Sequence, residues 1–352
     1  MYEFSESIYQ DAVGFLIEAI KPIGDQLDHD SEKLKTALES LYSKKLGALQ
    51  TKPQQGAITF EEKDYSRFQM EASRVSAALE FLQVQHQSAA RFISKSGNTQ
   101  IQKEYILPMS RGDKRVGLGY SQLRRSGPPQ VTAEKTTGGY LINGEVPWVT
   151  GESFFDEFIL GATNSDGDFV FGIAPLSNID DQIICSPPLK LLAINSTRTV
   201  TIKLNNYLLP DKKVITIKKE GLGKGNALTH GFSALGCAKG AIDHCKELLQ
   251  KMPSKENLEA INILEEQLAS VIQEALDSID LKSDDEKIRI RAKCNDIASK
   301  CTYAGVILTA GKANLEHNRA QRFYKESLLY TVTSQTPEIR SAALKELVCN
   351  SF

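Results

Sequence analysis

Apolar residues recur at helical spacing toward both ends of this chain and at strand spacing in its middle. Ile8, Ala12, Phe15 and Ala19 come first. Phe68, Ala72, Val75, Leu79, Leu82, His86 and Ala90 then follow in steps of three and four, which predicts one long helix. Between the two sets, LESLYSKKLGALQTKPQQGAITF reads as a short helix running into a Pro/Gly loop. After Gly112 the period changes. VGLGYS, YLINGEV, DEFILGAT, FVFGIA and RTVTIKLN are short β-branched or aromatic runs set off by turns such as TTGG and NSDGD, and they predict an antiparallel β-domain ending near KKVITIKK. From about residue 226 helical stripes return: Leu228 to Leu249, Ile261 to Ile279, and Ile290 to Leu308. Ser283 with Glu286 matches a capping box at the start of the third. The pattern predicts an α+β multidomain chain, with a helical domain over 1–112, a β-domain over 113–218 and a helical bundle over 219–352.

The 352 residues are 41% hydrophobic and 24% charged, a globular balance that argues against disorder. Forty-two basic against 44 acidic residues give a net charge of −2, so no overall field draws nucleic acid or an anionic membrane surface. A small-molecule partner is the expectation. No segment is apolar enough to span a bilayer, and MYEFSESIYQ carries acids where a secretory signal needs bases, so we expect a cytoplasmic chain. The six cysteines form no C-x-x-C pair and read as reduced, mostly buried thiols. No His, Cys and carboxylate spacing suggests a metal.

Trp148, the only tryptophan, stands in GEVPWVTGE two residues before Thr150. By itself such an indole is either packing between sheet and helix or the wall of a site. Other stretches favour the second reading. Gly97, Gln102, Lys103, Tyr105, Leu107, Pro108 and Gly112 come first, then Gly144, Trp148 and Thr150, then STRTVTIKLNNYLLPDKKVI and RFYKESLLYTVTSQTPEIR. In this order they resemble the acyl-CoA dehydrogenase superfamily over nearly the whole chain. The resemblance implies a middle β-barrel between helical domains, flavin adenine dinucleotide (FAD) as cofactor, an acyl thioester as substrate, and a homodimer or homotetramer. It casts Trp148 as the apolar wall of the flavin, Thr150 as a donor near the reactive nitrogen, Ser121 as a hydroxyl substitute in the altered ring-holding segment YSQLRRSGPP, and Arg322 as the family's cofactor arginine.

The family's reaction needs a carboxylate base to remove a proton beside the thioester. By the resemblance that base falls on Ser334, whose hydroxyl is too weak unless another group activates it. The alternative base position, within GKGNALTHGFSALG, has no carboxylate, and the family's Asp-x-x-Arg aligns with Lys224 and Ala227. His230, one turn inside the helix bordering the family's substrate cavity, is the histidine best placed to act as base or donor. His86 reads as a hydrogen-bonded core histidine. Arg124 and Arg125 either hold an anion or belong to a solvated loop. The expected activity is a flavin-dependent oxidoreductase with Ser334 and His230 in the catalytic positions and an altered mechanism. The rivals are a flavin-dependent monooxygenase and a non-catalytic binding or assembly protein that kept the fold.

Overall fold

The computed structural model describes residues 6–219 and 226–349. Helices α1 (Glu6–Phe15), α2 (Gly24–Leu27), α3 (Ser31–Ser43), α4 (Glu62–Val75), α5 (Ala77–Lys95) and α6 (Thr99–Arg111) precede the strands. The strands are β1 (Val116–Gly119), β2 (Val131–Thr136), β3 (Gly139–Val149), β4 (Glu157–Asn164), β5 (Phe169–Pro175), β6 (Ile183–Cys185), β7 (Val200–Pro210) and β8 (Val214–Lys218). Helices α7 (Thr229–Lys251), α8 (Lys255–Asp277), α9 (Asp284–Thr309), α10 (Arg319–Val332) and α11 (Pro337–Cys349) follow. Helices, sheet and helices thus occur in the expected order.

Two local expectations are corrected. The stripe from Phe68 to Ala90 is carried by α4 and α5, which meet at an extended Ser76 whose hydroxyl accepts from the Leu79 backbone N–H at 3.3 Å. Both helices are buried over most of their surface, so the apolar period runs on through the break, and only the capping serine marks it. After α1 a π turn over Leu16–Ile20 shifts the buried face: Leu16 and Ile20 are buried, whereas Ala19 is exposed. At α9 the expected cap is present, with Ser283 accepting from the Glu286 N–H at 3.3 Å.

The strands form one eight-stranded sheet in the order β6-β7-β3-β2-β4-β5-β8, with β1 beside β4. The sheet is mixed. β1 and β2 each run parallel to β4, and the other pairings are antiparallel. It also curls on itself, because Gly172 on β5 packs against the Leu209 side chain on β7 although three strands separate them along the path. Beside the sheet, the Tyr105 hydroxyl in α6 donates to Glu157 on β4 at 2.8 Å, and Glu157 pairs with Lys213 at 3.0 Å. The Gln102-Lys103-Glu104-Tyr105 stretch therefore ties a helix to the sheet.

Strand β3 is irregular where the lone indole sits. Its pairing with β7 shifts register between Ile142 and Gly144 and again between Val146 and Val149. Gly144 has φ +126°, and a Cβ there would lie 2.0 Å from the Gln130 carbonyl oxygen. Only glycine fits. Gly144→Ala should therefore lower unfolding free energy by about 2–4 kcal/mol in a urea titration; an unchanged midpoint would show that the bulge tolerates a side chain.

Candidate functional site

The second register shift turns the Trp148 side chain outward, 48% exposed. Of the other large aromatics of the sheet, Tyr140, Phe158, Phe171 and Tyr207 are buried and Phe169 is partly buried. An indole exposed on a strand bulge offers a flat apolar surface. Two residues on, Thr150 is buried and its Oγ1 lies 2.9 Å from Thr199 Oγ1, with either hydroxyl able to donate. If Thr199 donates, the Thr150 proton is left for another acceptor. Gly151 follows at φ +98°, with the Phe155 ring where a side chain would be.

The 3-10 turn Ser121–Arg124 packs beside β3. Ser121, Arg124 and Arg125 are exposed, and Arg125 reaches Gln130 at 3.4 Å, as in the solvated-loop reading. Gln122 is buried: its Nε2 donates to the Gly161 carbonyl at 2.8 Å, while its Oε1 has no partner.

His230, near the start of α7, stacks on Phe81 of α5 with ring centroids 6.3 Å apart. Its Nδ1 has no hydrogen-bond partner. Burial, aided by the positive charges of Arg291 and Arg124, pushes the imidazole down to about 3, so it is neutral near pH 7 and a poor proton acceptor. His86, by contrast, is the expected core residue. Its Nδ1 accepts from the Val116 N–H at 3.1 Å and its Nε2 faces the Met109 carbonyl at 3.0 Å, while burial lowers it to about 4.

Ser334 is exposed in the link between α10 and α11, at φ +52°. Its side chain at this position is a hydroxyl rather than a carboxylate. Thr336 in the same link caps α11, accepting from the Ile339 N–H at 3.3 Å. Lys224 lies outside the described residues. Arg322 faces inward in α10. It donates to the Val75 carbonyl at 3.2 Å and to Glu326 at 3.1 Å, and its Nε stands 3.0 Å from Asp25. The carbonyl freed by the helix break at Ser76 thus takes one of its donors, and the guanidinium is committed within the chain.

Two residues without a sequence signal complete the region. Glu80 on α5 is fully buried and accepts from Ser233 at 2.7 Å, Gln69 at 3.1 Å and the Tyr330 hydroxyl at 3.1 Å. Arg291 on α9, also buried, donates to the Tyr330 carbonyl. Either could have been suspected as a charge beside an apolar helical stripe, but periodicity alone assigns no partner. Among the described residues no group of three or more His, Cys, Asp or Glu could hold a metal, and no helix is long and apolar enough to cross a membrane.

The fit to a flavin rests on the β3 side. The exposed indole supplies a flat apolar wall, and the Thr150–Thr199 pair two residues on supplies a spare donor. These groups suit a planar ring bearing polar edges.

No protein-family model matches the chain, and no curated protein sequence does. Solved structures match in shape. A chain from the electron transferring flavoprotein of Acidaminococcus fermentans superposes with a TM-score of 0.84 at 14% identity, covering 99% of this chain and 99% of that one. Glutaryl-coenzyme A dehydrogenase in complex with glutaryl-CoA gives 0.83 at 17% identity, over 99% of this chain and 97% of that one. A glutaryl-CoA dehydrogenase from Mycobacterium smegmatis in complex with FADH2 gives 0.83 at 14% identity, over 97% and 94%. The chain has the acyl-CoA dehydrogenase fold. At these identities the likeness concerns the fold alone.

Burial raises the Glu80 carboxyl to about 7, against the pull of its three hydrogen bonds. The unfolded chain ionises near the ordinary carboxylate value, so this group's contribution to stability is complete below about pH 4 and is lost as pH rises toward 7. Relative to the native protein, Glu80→Gln should become progressively more stable between pH 4 and 8, by an increment on the order of 3 kcal/mol. Urea unfolding at several pH values measures it, and a constant difference would mean that Glu80 is ionised throughout.

Proposed function

We propose that the chain binds FAD against Trp148 and Thr150 and acts as an oxidoreductase that uses no carboxylate base. The observation that carries this reading is the half-exposed indole fixed in a strand bulge beside a hydroxyl pair with one proton to spare. Its support from outside the chain is the shared fold with flavin proteins, one of them solved with FADH2. When bound, the flavin accepts or delivers electrons. The protein's own residues then do limited work: Trp148 covers one face of the ring, Thr150 donates to its edge, and Ser121 adds a hydroxyl beside it. Arg322, hydrogen-bonded to Glu326 and the Val75 carbonyl and charge-paired with Asp25, has no role in this proposal.

The substrate must suit what is missing. Ser334 cannot remove a weakly acidic proton, and His230 is held neutral with a depressed pKa. The substrate is therefore a small molecule whose oxidation does not begin with proton removal by a carboxylate, or one modified when reduced flavin meets oxygen, as in a monooxygenase. A non-catalytic binding role is the second reading, and it is favoured by Glu80, a buried carboxyl of the bundle, having both oxygens taken by neighbours.

A second copy is the proposed partner for an apolar face of the C-terminal helices. Tyr303 and Ile307 on α9 and Tyr324, Leu328 and Val332 on α10 follow helical spacing and are each about half exposed or more. The setting we propose is the cytoplasm, where unpaired cysteines stay reduced.

Titrating the purified protein with FAD should give a saturable absorbance and fluorescence change, which Trp148→Ala weakens by about tenfold or more, as loss of a stacked aromatic would. A protein that neither carries nor takes up flavin would refute the flavin reading. Substrate-dependent bleaching separates the enzyme from the binding protein. Light scattering should show a dimer or larger, reduced to monomer by the pair Ile307→Asp and Leu328→Asp; a native monomer would remove the second copy.

A further inference from the structure

The helices bury two arginines and treat them differently. Arg322 has two carboxylates beside it, Glu326 and Asp25. Arg291, 1% exposed, forms no ion pair among the described residues. Its Nη2 donates to the Tyr330 carbonyl, and its Nε and Nη1 have no partner. Burial pushes its pKa down to about 10, so the guanidinium still carries its charge near neutrality. An uncompensated buried cation is among the least favourable arrangements in a protein interior.

The surroundings of Arg291 are short of partners as well. Its Cδ lies 3.5 Å from where a Cβ on Gly231 would stand, which sets its stem against the start of α7 next to His230. The Nδ1 of His230 is unpartnered. One turn along α9, Asn295 is 5% exposed and leaves both its Oδ1 and its Nδ2 unpartnered. Residues four apart share a helix face, so Asn295 and Arg291 sit side by side. Five buried polar atoms on three residues thus lack partners. Water can satisfy amides and imidazoles, but it brings no charge to a guanidinium.

We propose that Arg291, His230 and Asn295 form an internal anion site that takes the carboxylate of a small organic acid. The assignment stands whether or not the protein binds flavin. A planar carboxylate can accept two guanidinium N–H groups at once and supplies the single negative charge that one arginine needs. The Asn295 amide offers a further donor, and the His230 Nδ1 either donates or accepts according to its tautomer. The Phe81 ring stacked on His230 and the Cys294 thiol beside Gly231 provide apolar surface for a short hydrocarbon body. Inorganic phosphate has no hydrocarbon body to set against Phe81 and Cys294.

The test uses the full chain with sodium acetate, propionate or glutarate, and with sodium chloride and inorganic phosphate at matched ionic strength. At least one carboxylate should raise the melting temperature saturably and bind by titration calorimetry, while chloride and phosphate do neither. Arg291→Met should abolish binding, and Arg291→Lys, which keeps the charge but loses the fork, should weaken it at least tenfold. Should the methionine variant fail to fold, the lysine variant and imidazole resonances in the native protein still decide. Saturable perturbation of the His230 resonances by the carboxylate supports the site. Absence of saturable binding by all three carboxylates, equal stabilisation by chloride or phosphate, or unchanged affinity in Arg291→Lys overturns it.

Discussion

Glu80 must keep both carboxyl oxygens satisfied in a place where water does not reach, and the helices are arranged around that requirement. Its donors come from three other helices: Gln69 of α4, Ser233 of α7 and Tyr330 of α10. Ser73 adds a link, lying 2.9 Å from the Tyr330 hydroxyl and 2.7 Å from the Ser233 carbonyl. A buried acid without such donors would cost several kcal/mol. Meeting its needs fixes how α4, α7 and α10 stand around α5. The helix break at Ser76 belongs to the same arrangement, since it lets α4 and α5 diverge and leaves the Val75 carbonyl free for Arg322.

Much of the fold was legible because it rests on short-range rules. The change from helical to strand period near Gly112, the capping serine at 283 and the turn sequences each report local backbone preference. The division of the long stripe at Ser76 was not legible, because burial on both sides keeps the period intact. Nor were the parallel pairings of β1 and β2 with β4, which depend on contacts far apart in sequence. The short alternating stretch VTAEKT shows the limit: it forms β2, yet its polar positions resemble the loop around it.

For the candidate site, legibility divided along the same line. Gly144 and Gly151 stand out because the backbone itself needs them there. His86 was readable as a core histidine from its place on an apolar stripe, and its two ring nitrogens are indeed engaged. Arg322 stood out because a family pattern places an arginine there; in three dimensions Glu326 and the Val75 carbonyl take its hydrogen bonds and Asp25 lies beside its Nε. Glu80 and Arg291 show the opposite case. Their importance lies in what stands, or fails to stand, around them, and no periodicity in one helix reports on the side chains of another.

Thr150 and Thr199 share one short contact in which the proton lies between two equivalent oxygens, each able to give or receive. Such a pair is a two-position relay. A guest that accepts a hydrogen bond selects one orientation, a guest that donates selects the other, and no heavy atom has to move. In the proposed flavin site this pair would meet ligand edges of opposite polarity with an unchanged backbone, adaptation there being carried by hydrogen positions alone.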